Sequence, residues 1–492
     1  MTFRIMVCGL LAFAFCVAPA AAEDETNDLT AYLRHAYPSL AYVDRYRQDF
    51  PAEVEGSDAA WSIHKTLPPI ATAREAVAAL IGLGDQHVAL TGPKAGKTET
   101  LGVLFRTSAD GHMIAWRVFG PGVAGIRRGD EVVQVDTVPV AEWLRKAASV
   151  TFGGNPRSRQ AEAALDLGMG APVVHRTAGV GQTVSLTVRA ANGAARVVRL
   201  AYRPMDDGLA TSMTAAINAP DLPEVMKFGR YRVGAIRIGA FAPQYDPVFT
   251  AAADAAPETP ADPDRPMLAG FCAVTRRLIA KFDAIAGGSD LMVVDLRGNL
   301  GGFGREARLF AWALTGKAPP RTYDVFSTGK AGAIRLETEP EDGSCGQVRS
   351  AKPVIVLTDA GLRSAGELMA AWMWASGALV IGERSVGAGG GRDYASKGFP
   401  LGSSGYNLLI SGNFTIFDPT GEWRPGEMAE ARFVDRVAAE RFAPSRDRPF
   451  GIQAVGLKPD IETPTRLGDL RDAGRSALGR GIAIAMKKGV PR

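Results

Sequence analysis

From about residue 206 to the C-terminus, short apolar runs alternate with helical periods. Val233–Ile238, Leu291–Asp295, Val354–Leu357 and Leu379–Ile381 have strand length and apolar character. Between them, Leu268, Phe271, Thr275, Leu278, Ile279 and Phe282 recur at helical spacing. So do Ala307, Phe310, Ala311 and Leu314, and then Leu368, Ala371, Trp372 and Ala375. Strands linked through helices run parallel, and a parallel sheet needs both faces covered. The expected fold class is therefore α/β with a mostly parallel covered sheet. The Pro-, Ala- and Asp-rich stretch 243–266 reads as a mobile loop within it.

At 492 residues the chain exceeds what one core serves, so two or three domains are expected. Residues 1–22 read as a signal peptide: Arg4, an apolar run from Ile5 to Ala18, then small residues ending at Ala20 and Ala22. The run is too short to span a bilayer and no longer one follows, so an exported protein, periplasmic or secreted and without a membrane span, is expected. Residues 23–95 look helical, with Leu29, Tyr32, Leu33 and Ala36 on one face and Ala73, Ala76, Val77, Leu80 and Ile81 on another. Residues 96–205 change to short strands, with 144–180 as an insertion before Val184–Val188, and residues 206–492 complete the division. Lys and Arg number 56 against 52 Asp and Glu, a net charge of +4 too balanced for a nucleic-acid partner. Five histidines and four cysteines form no close-spaced ligand set, so no metal and no cofactor is expected. Cys272 and Cys345 survive signal removal. An oxidising compartment permits a disulfide between them, and two buried free thiols fit equally.

The chemistry is expected at the carboxyl ends of the parallel strands. In Thr358-Asp359-Ala360-Gly361-Leu362-Arg363-Ser364-Ala365-Gly366-Glu367 a strand ends, the chain turns, and Ser364 falls where a helix begins. Serine is a common helix N-cap, and that is the plain reading of Ser364. A helix N-terminus also presents unpaired N–H groups that favour an anionic oxygen. Asp295-Leu296-Arg297-Gly298-Asn299-Leu300-Gly301-Gly302 is a second strand end, whose paired glycines let backbone amides approach a substrate. Gly382-Glu383-Arg384-Ser385-Val386-Gly387-Ala388-Gly389-Gly390-Gly391 is a third glycine-rich strand end.

The "G-I-R-x-G-D-x-V-x-x-V-D" pattern of residues 125–136 resembles a PDZ domain. The resemblance implies that Leu101, Gly102, Val103 and Leu104 form a loop offering N–H groups to a peptide carboxylate, with the peptide pairing along a sheet edge. Together with "D-L-R-G-N-x-G-G", "S-A-G-E" and Gly456-Leu457-Lys458-Pro459-Asp460-Ile461, it resembles the C-terminal-processing (tail-specific) serine peptidases, from about 82 to 465. That implies a ClpP/crotonase-like catalytic core, a PDZ-like module, polypeptide substrates and an acyl-enzyme. Ser364 is implied as nucleophile, with the Ala365 N–H and that of Gly301 or Gly302 as oxyanion donors. A serine hydroxyl needs a base. One branch of the family supplies a lysine from a "G-K-G" turn, but here the turn is Gly387-Ala388-Gly389, and Lys397 lies outside the motif. The other branch, similar to tricorn-type peptidases and the interphotoreceptor retinoid-binding protein, supplies a histidine from "L-G-D-x-H", matched by Leu83-Gly84-Asp85-Gln86-His87. His87 is the implied base, while His35, His64, His112 and His175 read as structural. Where that branch has a glutamate to orient the imidazole, this chain has Gln453, so Gln453 and Glu422, with Glu427 nearby, stand as alternatives. An α/β-hydrolase is excluded, since no histidine follows the serine and the G-x-S-x-G elbow is missing. A binding protein for peptides or small apolar ligands, on the same fold with a decayed site, remains the second functional reading.

Overall fold

The computed structural model describes residues 29–38, 80–91, 99–120, 123–170, 183–256, 258–259, 264–327, 334–338, 345, 352–392, 398–401, 406–421 and 445–487. The expected signal peptide, the helical pattern of Ala73–Val77, His64, His175, Lys397, Glu422 and Glu427 lie outside the described residues.

Six strands build the central sheet: β1 Val225–Phe228, β2 Tyr231–Arg237, β3 Leu291–Asp295, β4 Val354–Thr358, β5 Leu379–Gly382 and β6 Ile461–Glu462. They lie in sequence order, with β1 antiparallel to β2 and every later neighbour parallel. Side chains alternate across a strand, so each face collects its own core. Met292 and Val294 pack with Phe282, Phe310 and Trp372 of the helices Arg265–Ala286, Gly304–Thr315 and Ala365–Ala375. Leu291 and Val293 face the other way, onto Leu478 and Ile482 of the helix Arg475–Lys487. The sheet is covered on both sides, as the apolar runs predict.

The stretch 243–266 differs from the loop expected of it. The Asp246 side chain accepts the Val248 N–H at 2.9 Å and caps a helix, Pro247–Asp254, with proline at its first position. Phe249 of that helix packs on Phe271. The region 144–180 likewise contains helix where an insertion was expected. Helices Val140–Ala148 and Pro156–Gly168 put Trp143, Leu144, Ala164 and Leu167 into the core of an antiparallel sheet with Val103, Phe105 and Val184. That sheet runs Val103–Thr107, Met113–Val118, Glu131–Val135, Thr183–Arg189, Ala195–Ala201. A further antiparallel sheet, centred on Arg321–Ser327 and Ser411–Asp418, has no counterpart in the sequence reading. Cys272 and Cys345 are joined, with S–S 2.08 Å.

In the first turn of helix Gly304–Thr315, Glu306 is buried and its Oε2 has no hydrogen-bond partner among the described residues. Burial, reinforced by the Asp246 carboxylate and opposed by Arg277, pushes its carboxyl up to about 8. The unfolded chain releases this proton near the ordinary value of about 4.3, whereas the folded chain holds it to higher pH. The contribution is therefore intact below pH ~4, and is lost as pH rises toward and through 8. Glu306→Gln is expected to flatten this dependence and to be more stable than the parent by a few kcal/mol (order of magnitude) at pH ~9, read by denaturant unfolding across pH.

Candidate active site

Ser364 follows β4 and stands at the N-cap of helix Ala365–Ala375 with φ 51° and ψ −132°. A non-glycine residue at positive φ is strained and persists only when its surroundings fix it. Two contacts do so. Glu367 accepts the Ser364 N–H at 3.2 Å, and the preceding Arg363 N–H bonds the Asn299 carbonyl at 3.2 Å. Glu367 is fully buried and also accepts the Ser385 hydroxyl and the N–H groups of Gly387 and Ala388, each of the latter at 2.7 Å. Burial pushes its carboxyl up to about 7 against the pull of those donors. The third glycine-rich turn thus serves as a cradle for Glu367, and Ala388 is fully buried within it. Behind the helix, Asp460 of the C-terminal motif accepts Trp374 Nε1 at 3.0 Å and the Val380 N–H at 2.9 Å, tying that helix to β5.

His87 arrives from a separate unit. Leu29 and Leu33 of helix Leu29–Ala36 pack with Leu80, Leu83, Val88, Phe399, Leu401 and Leu408. The strand Ala89–Thr91 pairs antiparallel with Asn407–Leu409. Gly84, left-handed at φ 65°, turns the chain, and Asp85 Oδ1 accepts the His87 N–H at 2.8 Å. This sets His87 Nε2 3.2 Å from Ser364 Oγ, across 277 residues of sequence. The imidazole is 5% exposed, and its Nδ1 lies 3.8 Å from Asp85 Oδ1. One helix locks the two loops together: Glu162 accepts Gln86 Nε2 at 3.1 Å and pairs with Arg363 at 2.7 Å. Glu162 falls in the stretch read as an insertion, where no motif marks it.

The paired glycines lie against the serine. A Cβ on Gly301 would stand 2.6 Å from Ser364 Cβ, and one on Gly302 would stand 1.9 Å from the Phe241 carbonyl oxygen. Only glycine fits either place. Gly301 is corrected as an oxyanion donor, because its N–H donates to Asn299 Oδ1 at 2.7 Å. Among the described residues, the N–H groups of Gly302 and Ala365 meet no acceptor. Asn299 also anchors Ile238 through Nδ2 at 3.0 Å, and a Cβ on Gly366 would lie 2.5 Å from its Oδ1. Close packing of the two loops explains glycine in both motifs.

Two other expectations meet different geometry. Gln453 is fully buried and donates Nε2 to Tyr37 Oη at 3.4 Å; among the described residues it makes no hydrogen bond to His87 and its Oε1 has no partner. The loop Leu101, Gly102, Val103, Leu104 is closed: the Leu101 N–H donates to the Gly168 carbonyl at 2.9 Å and the Gly102 N–H to Thr100 Oγ1 at 2.9 Å. All four residues are buried, and helix Pro156–Gly168 packs along the adjoining strand. Its first two amides are therefore not available to a peptide carboxylate. A cavity of about 260 Å³ lined by Arg106, Trp116, Asp221, Arg297 and Asp359 lies elsewhere, touching neither Ser364 nor His87. His112 bonds Glu131 at 3.0 Å, away from the serine.

Residues 268–416, which include the paired glycines and Ser364 but not His87, match peptidase family S41. A comparison with curated proteins finds no match. Among solved structures, mature CPAF complexed with lactacystin is similar at 15% identity and TM-score 0.58, covering 94% of this chain and 97% of that one. Mature CPAF alone gives 16% identity and TM-score 0.54 over 94% and 97%, and a CPAF mutant 15% and 0.57 over 92% and 94%. At these identities the likeness concerns the fold. Residues 268–416 thus match peptidase family S41, and the fold of the chain is similar to that of CPAF.

Proposed function

We propose that the protein is an exported serine endopeptidase in which Ser364 is the nucleophile and His87 the general base. The observation that carries this reading is the 3.2 Å contact between Ser364 Oγ and His87 Nε2. His87 Nε2 takes the hydroxyl proton as Oγ attacks the scissile carbonyl. The Gly302 and Ala365 N–H groups receive the oxyanion, in a site whose strained serine and glycine turns are already in position. As the tetrahedral intermediate collapses, the imidazolium returns its proton to the leaving amine and the acyl group stays on Ser364. Water, deprotonated by His87, then releases the second fragment.

In this reading residues 1–22 direct export, 23–95 deliver the histidine, 96–205 form the PDZ-like module and 206–492 the catalytic domain. The Cys272–Cys345 disulfide supports an oxidising compartment. Among the described residues no helix is long and apolar enough to cross a membrane. Substrate capture at the Leu101–Leu104 loop is not part of the proposal. The test is incubation of the full chain with an unfolded, carboxymethylated polypeptide. Fragments with new termini are expected; recovery of the polypeptide bound but whole would favour the ligand-binding reading instead.

A further inference from the structure

The imidazole of a serine peptidase gains positive charge during acylation, and a nearby carboxylate ordinarily stabilises it. Gln453 occupies the position where the sequence pattern calls for that carboxylate. A neutral amide lacks the charge, and among the described residues this one makes no bond to His87. We propose that Asp85, inside the histidine loop itself, is the positioning carboxylate of His87. The inference rests on the assignment of His87 as base.

Three observations carry it. Asp85 is fully buried. Its Oδ1 holds the His87 backbone N–H at 2.8 Å and lies 3.8 Å from the imidazole Nδ1. Its Oδ2 is buried with no hydrogen-bond partner among the described residues. A carboxylate taken out of water with one oxygen unmatched is costly until a cation forms beside it. Proton transfer from Ser364 to His87 creates that cation, so the charge separated during attack is attracted to Asp85. At 3.8 Å the effect on the ring is electrostatic rather than a hydrogen bond, while the backbone bond sets where the ring sits. Among the described residues, two other buried acids near the loops have their own partners. Glu162 is held by Arg363 and Gln86, and Glu367 by Ser364, Ser385, Gly387 and Ala388.

Asp85→Asn keeps an oxygen for the His87 N–H and removes the charge. Its kcat/KM at neutral pH is expected to fall by about 10²-fold or more, with the acid limb of the pH profile moved about one unit lower. A purely structural loss would depress the profile without moving that limb. Gln453→Ala is expected to leave the limb in place. If Asp85→Asn does not fold, Asp85→Ser, which keeps a hydroxyl acceptor, carries the same measurement. An unmoved limb in the folded Asp85 variant, or a moved limb in Gln453→Ala, overturns the assignment of Asp85 while leaving Ser364 and His87 in their roles. A folded wild-type chain that hydrolyses no peptide overturns the underlying reading, and this one with it.

Discussion

Replacing Ser364 by alanine is expected to lower peptide hydrolysis at least about 10⁴-fold while leaving the fold intact. The substitution removes one oxygen and no core contact. The strain at φ 51° is shared by serine and alanine, and the Glu367 bond is to the backbone, so it survives. The cradle of Gly387 and Ala388 around Glu367 is untouched for the same reason. In the proposed mechanism, what disappears is the atom that forms the acyl bond, leaving only transition-state binding at Gly302 and Ala365. Steady-state hydrolysis alongside thermal unfolding checks both halves of the statement. An unchanged melting transition with residual turnover above one part in a hundred would count against Ser364.

The second large effect is expected at His87. His87→Ala should cost about 10³-fold or more in kcat, because an unassisted hydroxyl is a weak nucleophile near neutral pH. Lys397→Ala should stay within about threefold of the parent. The contrast separates two mechanisms on one fold. The turn in which a related branch carries its lysine holds Ala388, whose amide donates to Glu367 and whose side chain is buried. That turn is part of the scaffold under the serine. The unit carrying His87 meets the serine loop through Gln86, Glu162 and Arg363. Activity retained in His87→Ala and lost in Lys397→Ala would restore a Ser–Lys mechanism.

Much of this arrangement is legible in the sequence, for reasons that are local. Leu291–Asp295 and Val354–Thr358 read as buried strands because apolar runs of that length fit a covered parallel sheet. Ser364 reads from the sequence as a cap and as a candidate nucleophile, and the structure places it at the start of helix Ala365–Ala375. The helix Pro247–Asp254 was also signalled, by Asp246 before Pro247, but the surrounding proline and alanine content hid it. Pairing between Arg321–Ser327 and Ser411–Asp418 spans too much chain for periodicity to reveal. Of the two glycines the sequence leaves open as oxyanion donor, Gly301 gives its amide to Asn299 in a local turn that the motif does not reveal. The partner of His87 was hidden differently. The sequence pattern points to position 453, whereas Asp85 lies two residues from the histidine in the same motif. Glu162 carries no motif, and its role exists only once helix Pro156–Gly168 docks on both loops.

The most direct measurement is reaction of the folded, full chain with a fluorophosphonate probe, followed by peptide mapping of the adduct. The reagent reports an activated hydroxyl without any need to know the substrate. A single adduct on Ser364 is expected, absent from Ser364→Ala and formed about 10³-fold more slowly in His87→Ala. Folded wild-type protein that takes no label, or label that persists in Ser364→Ala, would contradict it.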